Sequence, residues 1–251
     1  MDEITEAAIT EDRVLGGRVR LRQSARGYRA GADAALLAAA CGAGPGERVL
    51  EAGCGPGGAL LAAAARAPAT AFVGVERDGA AAALARENVA LNGLDRRVEI
   101  VTGDVARPFA KLGLERFDVA MANPPFFDDP GAMRAPSPAR RGAWMADDGL
   151  GAWTQFLLKA TRERGRIILI HRADRLADIL ALLAPKAGSF QVRPIHPFAD
   201  APAKRVLVRA VKTGKAPLQL LPPLVLHERD GGHHRPEVDA ILRGEAGVEW
   251  G

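Results

Sequence analysis

Five short runs rich in β-branched residues, at 48–51, 71–76, 98–102, 118–122 and 166–171, alternate with Ala- and Leu-rich stretches of helical length. Parallel neighbours need a long crossover, so this alternation predicts a parallel sheet covered by helices. The expected helices are 57–67, 79–91 and 150–163, and a fourth, 172–183, follows the fifth strand. Asn92-Gly93 supplies a stop for the second helix. The alternation then ceases. Runs at 191–195 and 204–212 have only a Pro-containing connection between them, too short for a helical crossover, so they should pair antiparallel. The expected fold class is α/β: a doubly wound sheet, mostly parallel, with one antiparallel strand in a C-terminal hairpin.

Before this core, residues 14–23 alternate Val, Arg, Leu and Arg around Gly16-Gly17, which suggests a small hairpin. Between Asp12 and Asp33 there is no acid, while Arg13, Arg18, Arg20, Arg22, Arg26 and Arg29 all fall there. That stretch is either a nucleic-acid contact surface or an ordinary solvated strand pair. Residues 127–149 show no periodicity, and a loop that long inside a compact domain is usually functional or disordered. The expected organisation is one domain over 1–251, with an N-terminal hairpin and basic extension at 1–30, a catalytic core at 31–212 and a C-terminal tail at 213–251.

With 48% hydrophobic and 25% charged residues and no apolar run near 18 residues, the composition excludes a membrane protein and a disordered chain. The first thirteen residues carry five carboxylates and lack the pattern of a targeting signal, so the protein is expected in the cytoplasm. Cys41 and Cys54 have no metal-ligand spacing and read as buried free thiols, with no structural metal expected. The net charge of +4 permits an acidic partner without demanding one.

After the first strand of the core comes Glu51-Ala52-Gly53-Cys54-Gly55-Pro56-Gly57-Gly58, leading straight into a helix. Glycines here allow a tight turn and close approach of backbone to ligand. Gly53, Gly55 and Gly58 fit the dinucleotide pattern G-x-G-x-x-G; Glu51, Gly53, Gly55 and Gly57 fit the acid-x-G-x-G-x-G of S-adenosylmethionine enzymes. At the end of the second strand, Glu76 can accept both ribose hydroxyls of an adenosine cofactor in either case. After the third, Asp104 can accept from an exocyclic adenine amine. Three acids at successive strand ends point to a cofactor crevice. NAD would bring a pyrophosphate to the helix start, whereas S-adenosylmethionine brings a sulfonium and an ammonium. Glu51 beside the turn favours the cations.

At the end of the fourth strand stands Asn123-Pro124-Pro125-Phe126. Two prolines fix φ and aim the Pro124 carbonyl, and the Asn123 amide oxygen offers a second acceptor. A planar amine is a poor nucleophile because its lone pair is delocalised. Two fixed acceptors can grip both N–H bonds and point that lone pair at a methyl donor. Phe126 would stack on a planar substrate, and Phe127 offers a second stacking surface or an apolar residue closing the loop.

These four motifs resemble those of class I methyltransferases that modify amino nitrogens. Residues 27–38, 168–174 and 221–228 are similar to segments of the valine tRNA (adenine-N6)-methyltransferase family, so the resemblance covers nearly the whole chain. It implies a Rossmann-like methyltransferase fold and S-adenosyl-L-methionine as cofactor. The donor pocket would be lined by Glu51, Gly53, Gly55, Gly57, Glu76, Asp104 and Asn123. Asn123, Pro124 and Phe126 would act at the target base, with Phe127, Arg140 and Arg141 as substrate contacts. The expected substrate is an adenine N6 amine in tRNA. A glutamine amide in a translation factor, a guanine amine or a DNA base presents a similar planar N–H₂, and an NAD-dependent oxidoreductase is the alternative of another class. The Cys-Gly-Pro-Gly turn and the Arg-rich, Lys-poor composition depart from the family pattern.

Other residues invite a role. His227, His233 and His234 near Glu228 and Asp230 suggest a metal by composition, but their spacing and Gly231-Gly232 favour a solvated turn. His171 at a strand end is expected to be structural. Asp128-Asp129 and Asp147-Asp148 are expected to be solvated acids or caps. Trp144 beside Arg140 and Arg141 would suit an RNA-facing lid.

Overall fold

The computed structural model describes residues 9–25, 30–125, 149–229 and 232–251. Strands β3 (Arg48–Ala52), β4 (Ala71–Glu76), β5 (Val98–Thr102), β6 (Phe117–Ala122) and β7 (Thr161–Arg172) run parallel in the order β5-β4-β3-β6-β7. Strand β9 (Arg205–Lys212) lies antiparallel between β7 and β8 (Ala187–His196), so β9 is the one reversed strand of this sheet. Short strands β10 (Gln219–Leu220) and β11 (Leu224–Val225) pair parallel with the outer side of β8. The α/β doubly wound fold expected from the alternation is therefore the fold observed.

Strand periodicity explains the two buried layers. Val49, Phe72, Val119, Ile168 and Ile170 face one side, with helices α1 (Ala32–Ala40), α2 (Gly58–Arg66) and α3 (Gly79–Leu91). Leu50, Val73, Ala120, Ile167 and Leu169 face the other, with α4 (Leu150–Ala160) and α5 (Leu176–Leu183). A sheet buried on both faces needs continuous apolar strands rather than alternating ones, and Ile167-Ile168-Leu169-Ile170 meets that need.

Several boundaries differ from expectation. Residues 161–163, expected as helix, begin β7: Thr161 is fully buried, its hydroxyl donates to the Leu157 carbonyl at 2.7 Å, and its backbone pairs with Phe117. Arg164 then takes φ +61 and the register shifts before Arg166. Similarly, Arg172 ends β7, and a 3-10 turn over Ala173–Arg175 precedes α5. Helix α1 was not anticipated, because an almost unbroken Ala/Leu run shows no face; six of its nine residues are buried. Helix α6 (Pro236–Arg243) was also missed.

The expected hairpin is present and longer, with β1 (Ile9–Val14) antiparallel to β2 (Val19–Ser24). It is attached to α3 by two asparagines. Asn88 accepts from the Arg22 N–H at 2.8 Å and donates to the Arg22 carbonyl at 2.8 Å; Asn92 does the same for Arg20 at 2.9 and 2.7 Å. Each side-chain amide thus stands in for one residue of a partner strand. The hairpin's arginines are largely engaged: Arg20 and Arg22 pair with Glu11 at 2.8 and 3.3 Å, and Arg18 donates to the Gly244 carbonyl. Arg20 foremost holds the Glu11 carboxyl below its usual range. Of the six arginines, Arg20 and Arg22 are thus ion-paired and Arg18 is hydrogen-bonded; Arg26 and Arg29 lie outside the described residues.

Candidate active site

From β3 the chain moves outward through β4 and β5, then returns to place β6 on the other flank of β3. Where strand order reverses, α2 after β3 and α4 after β6 pack on opposite faces of the sheet, the arrangement in which α/β sheets take ligands at the carboxyl edge. The glycine turn follows β3 and Asn123-Pro124 follows β6. Ala52 pairs with Ala122, so Gly53 and Asn123 each follow a paired position at the ends of adjacent strands. On the other side Ala52 pairs with Val75 and Glu76 with Thr102, which brings Glu76, Gly103 and Asp104 to the same edge. One row of the sheet thus collects all the motifs that sequence placed at strand ends.

The turn is built as a backbone cradle. Gly53 and Cys54 donate to the Val75 carbonyl at 2.7 and 3.1 Å, and Gly57 donates to Cys54 at 2.9 Å. Gly53 and Gly57 have φ +65 and +95, where an L side chain is strained. A Cβ on Gly53 would also lie 2.2 Å from the Trp153 ring, whereas one on Gly55 would meet nothing within 4 Å. Gly58, which completes the dinucleotide pattern, has another reason to be glycine: its Cβ would fall 2.3 Å from that of Ala30. Trp153, on α4, is a site residue that sequence reading missed. Its only signal was helical spacing of apolar residues, which does not reveal that its ring closes on the turn.

The three acids are not equivalent. Glu76 accepts from the Gly55 N–H at 2.9 Å and the Asp78 N–H at 2.8 Å, one through each oxygen. Each carboxylate oxygen keeps further acceptor capacity, so Glu76 is oriented and still able to accept hydroxyls. Asp104 accepts from the Ala106 N–H at 2.9 Å through Oδ1, a turn-forming bond that fixes its side chain. Glu51 is only 3% exposed, and its Oε2 has no hydrogen-bond partner among the described residues. Burial pushes its carboxyl well above the usual range, assisted by the nearby Glu76 charge and opposed by the Leu60 N–H. Burial likewise raises the Cys54 thiol, so this buried cysteine is not an ionised nucleophile at neutral pH.

A buried carboxylate oxygen without a donor is costly, and a cationic ligand group relieves that cost. The site therefore fits a sulfonium and ammonium better than a pyrophosphate. Asn123 is half-buried, Pro124 buried and Pro125 exposed. His171 is 5% exposed on β7, two residues beyond Leu169, which pairs with Ala122. Phe126, Phe127, Asp128, Asp129, Arg140, Arg141, Trp144, Asp147 and Asp148 lie outside the described residues. Among the described residues no group of three or more His, Cys, Asp or Glu could hold a metal ion.

This fold, with a glycine turn and an Asn-Pro-Pro corner at its switch point, is that of the class I S-adenosylmethionine-dependent methyltransferases, and the chain is similar to proteins of that class. Residues 30–135 match the methyltransferase small domain. Among curated relatives, a tRNA1(Val) (adenine(37)-N6)-methyltransferase of Porphyromonas gingivalis is 30% identical over 171 residues, 64% of this chain and 66% of the relative. A ribosomal protein uL3 glutamine methyltransferase of Bradyrhizobium diazoefficiens is 36% identical over 41% of this chain and 31% of its own length. The chain thus spans just under two thirds of the first and about a third of the second. Among solved structures, a predicted O-methyltransferase of Agrobacterium tumefaciens superposes with a TM-score of 0.72 at 26% identity, covering 86% of this chain and 98% of that one.

Proposed function

We propose that this chain transfers a methyl group from S-adenosylmethionine to the exocyclic N6 amine of an adenine in tRNA, in the cytoplasm. The observation that carries the reading is the register of Ala52 with Ala122, after which the glycine turn and the Asn123-Pro124 corner leave adjacent strands at the same edge. Glu76 and Asp104 hold the adenosine end, Gly53 and Gly57 shape the turn, the open space at Gly55 admits the ligand against the backbone, and Glu51 meets its positive charge. When bound, the cofactor supplies an electrophilic methyl carbon. The Asn123 Oδ1 and the Pro124 carbonyl accept the two N–H bonds of the amine, turning its lone pair toward that carbon. The amine proton leaves to solvent after transfer, so no side-chain base is needed. Phe126 stacks on the base, with Phe127, Arg140 and Arg141 on the surrounding RNA.

The name of the Porphyromonas relative supports adenine in tRNA. The second reading, a glutamine amide in a protein, draws on the Bradyrhizobium relative, since that amide presents the same planar N–H₂. Mass spectrometry of nucleosides from tRNA incubated with and without the enzyme separates the two. A new N6-methyladenosine is the expected product, and an unmodified nucleoside pool with a methylated protein acceptor would overturn it. Asn123→Ala should lower turnover at least a hundredfold while donor affinity, measured by calorimetry, stays within about twofold. Full activity in that variant would remove Asn123 from the assigned role.

A further inference from the structure

Strands β8 and β11 run in the same direction as β6, so their ends at His196 and Val225 lie on the carboxyl edge that carries the acceptor motif. From β6 to β8 is three strand spacings, roughly 14 Å. Just beyond these ends three rings stand in a row. Phe198 is 6.0 Å from His227, and His227 is 4.6 Å from His234, centroid to centroid. The Arg229 guanidinium sits 4.9 Å over the Phe198 ring and is held there by Asp200 through bonds of 2.8 and 3.0 Å.

The row is braced by backbone. Ala201 donates to Phe198 at 3.1 Å, Leu226 to His196 at 2.8 Å, His227 to Pro197 at 3.0 Å and Arg235 to Leu226 at 2.9 Å. The His196 Nδ1 lies 2.6 Å from the Ala201 carbonyl, and His227 bridges to His234. This order is not explained by the core. Phe72, Phe109, Phe117, Phe156 and Phe190 belong to or pack against the two apolar layers; Phe198, among the described phenylalanines, joins neither. The neighbouring charges pair off, Arg229 with Asp200 and Arg235 with Glu228. What the patch offers is three half-buried rings, neighbours tilted by 48° and 55° to one another, with little net charge.

We propose that Phe198, His227 and His234 form a stacking platform for unpaired RNA bases a few nucleotides from the acceptor adenine. The inference rests on the RNA reading above. Flat rings on a hydrogen-bonded frame bind bases of any identity by their faces, and the platform and the acceptor corner share the carboxyl edge of one sheet. The platform selects an acceptor embedded in single-stranded RNA over an isolated base.

Steady-state methylation of tRNA by the full chain tests it, with Phe198→Ala, His227→Ala and Phe198→Tyr compared. Both alanine variants should raise the KM for tRNA at least about fivefold, with kcat and donor affinity within twofold of wild type. Phe198→Tyr, which keeps the π face, should retain the wild-type KM. A merely structural role would instead lower the melting temperature and change donor affinity, so both are measured. An unchanged KM in both alanine variants while wild type methylates tRNA would overturn the platform alone. Methylation of a protein acceptor with no transfer to tRNA would overturn the RNA reading and the platform with it. If the variants impair only a protein acceptor, the surface belongs to protein recognition and the proposal also falls.

Discussion

Glu51 is a single side chain whose burial is costly to the free protein. Its carboxyl lies inside the α2 side of the sheet with one oxygen undonated, and burial raises its folded pKa above the unfolded value. The native state then holds its proton more tightly than the unfolded state. The associated stability is complete below the ordinary carboxylate range near pH 4.5 and is lost as pH rises through the elevated folded pKa. Glu51→Gln should therefore flatten the fall in stability of the free protein with rising pH, visible as a smaller change in melting temperature across the series. The same variant should bind S-adenosylmethionine less tightly, because a neutral amide cannot offset the ligand's cations. A steeper pH dependence, or unchanged affinity by calorimetry, would remove Glu51 from this role. Sequence reading had Glu51 beside a cation but could not see that it would be buried.

The hairpin and α3 are joined through side chains that imitate backbone. Asn88 is fully buried, donates to the Arg22 and Pro56 carbonyls at 2.8 and 2.9 Å and accepts from Arg22. Through Pro56 it also touches the glycine turn. Asn88→Ala leaves these backbone groups without partners and should destabilise the protein by about 2–3 kcal/mol, measured by chemical denaturation. Hydrogen exchange should show β2 losing protection first. The hairpin and α3 were each legible locally, one from alternation around Gly16-Gly17 and the other from its Asn-Gly stop. Their attachment was not, because two asparagines four residues apart on a helix look like ordinary polar positions until an unpaired strand edge is laid against them. The opposite error occurred at 161–163, where helical composition gave way because Thr161 could pair with Phe117 and bury its side chain.

The segment after β9 packs into one face of the molecule. Val238, Ile241, Val248 and Trp250 enter the same apolar layer as the hairpin residues Val19 and Leu21 and the helices α1 and α2. The Trp250 Nε1 donates to the Ala40 carbonyl at 2.9 Å, Val248 donates to Ala39 at 3.1 Å, and Arg66 bonds to the Ala246 and Ile241 carbonyls. Trp250→Ala should cost about 3–5 kcal/mol by opening a cavity in that layer, read as a lower denaturation midpoint. If donor affinity of the folded variant stays near wild type, the segment supports the fold without lining the cofactor crevice. From the residues alone came the strand and helix alternation, the reversal at the last hairpin and the chemistry of the motifs. Those are local matters of periodicity, connection length and functional-group type. Only the tertiary structure decided which motifs meet, because the switch in strand order pairs Ala52 with Ala122, seventy residues apart, and so brings the turn and the corner that follow them to one edge. It alone decided that Glu51 is buried, that Trp153 closes on the turn and that Phe198, His227 and His234 stand together, since burial and proximity follow from packing that local pattern does not encode.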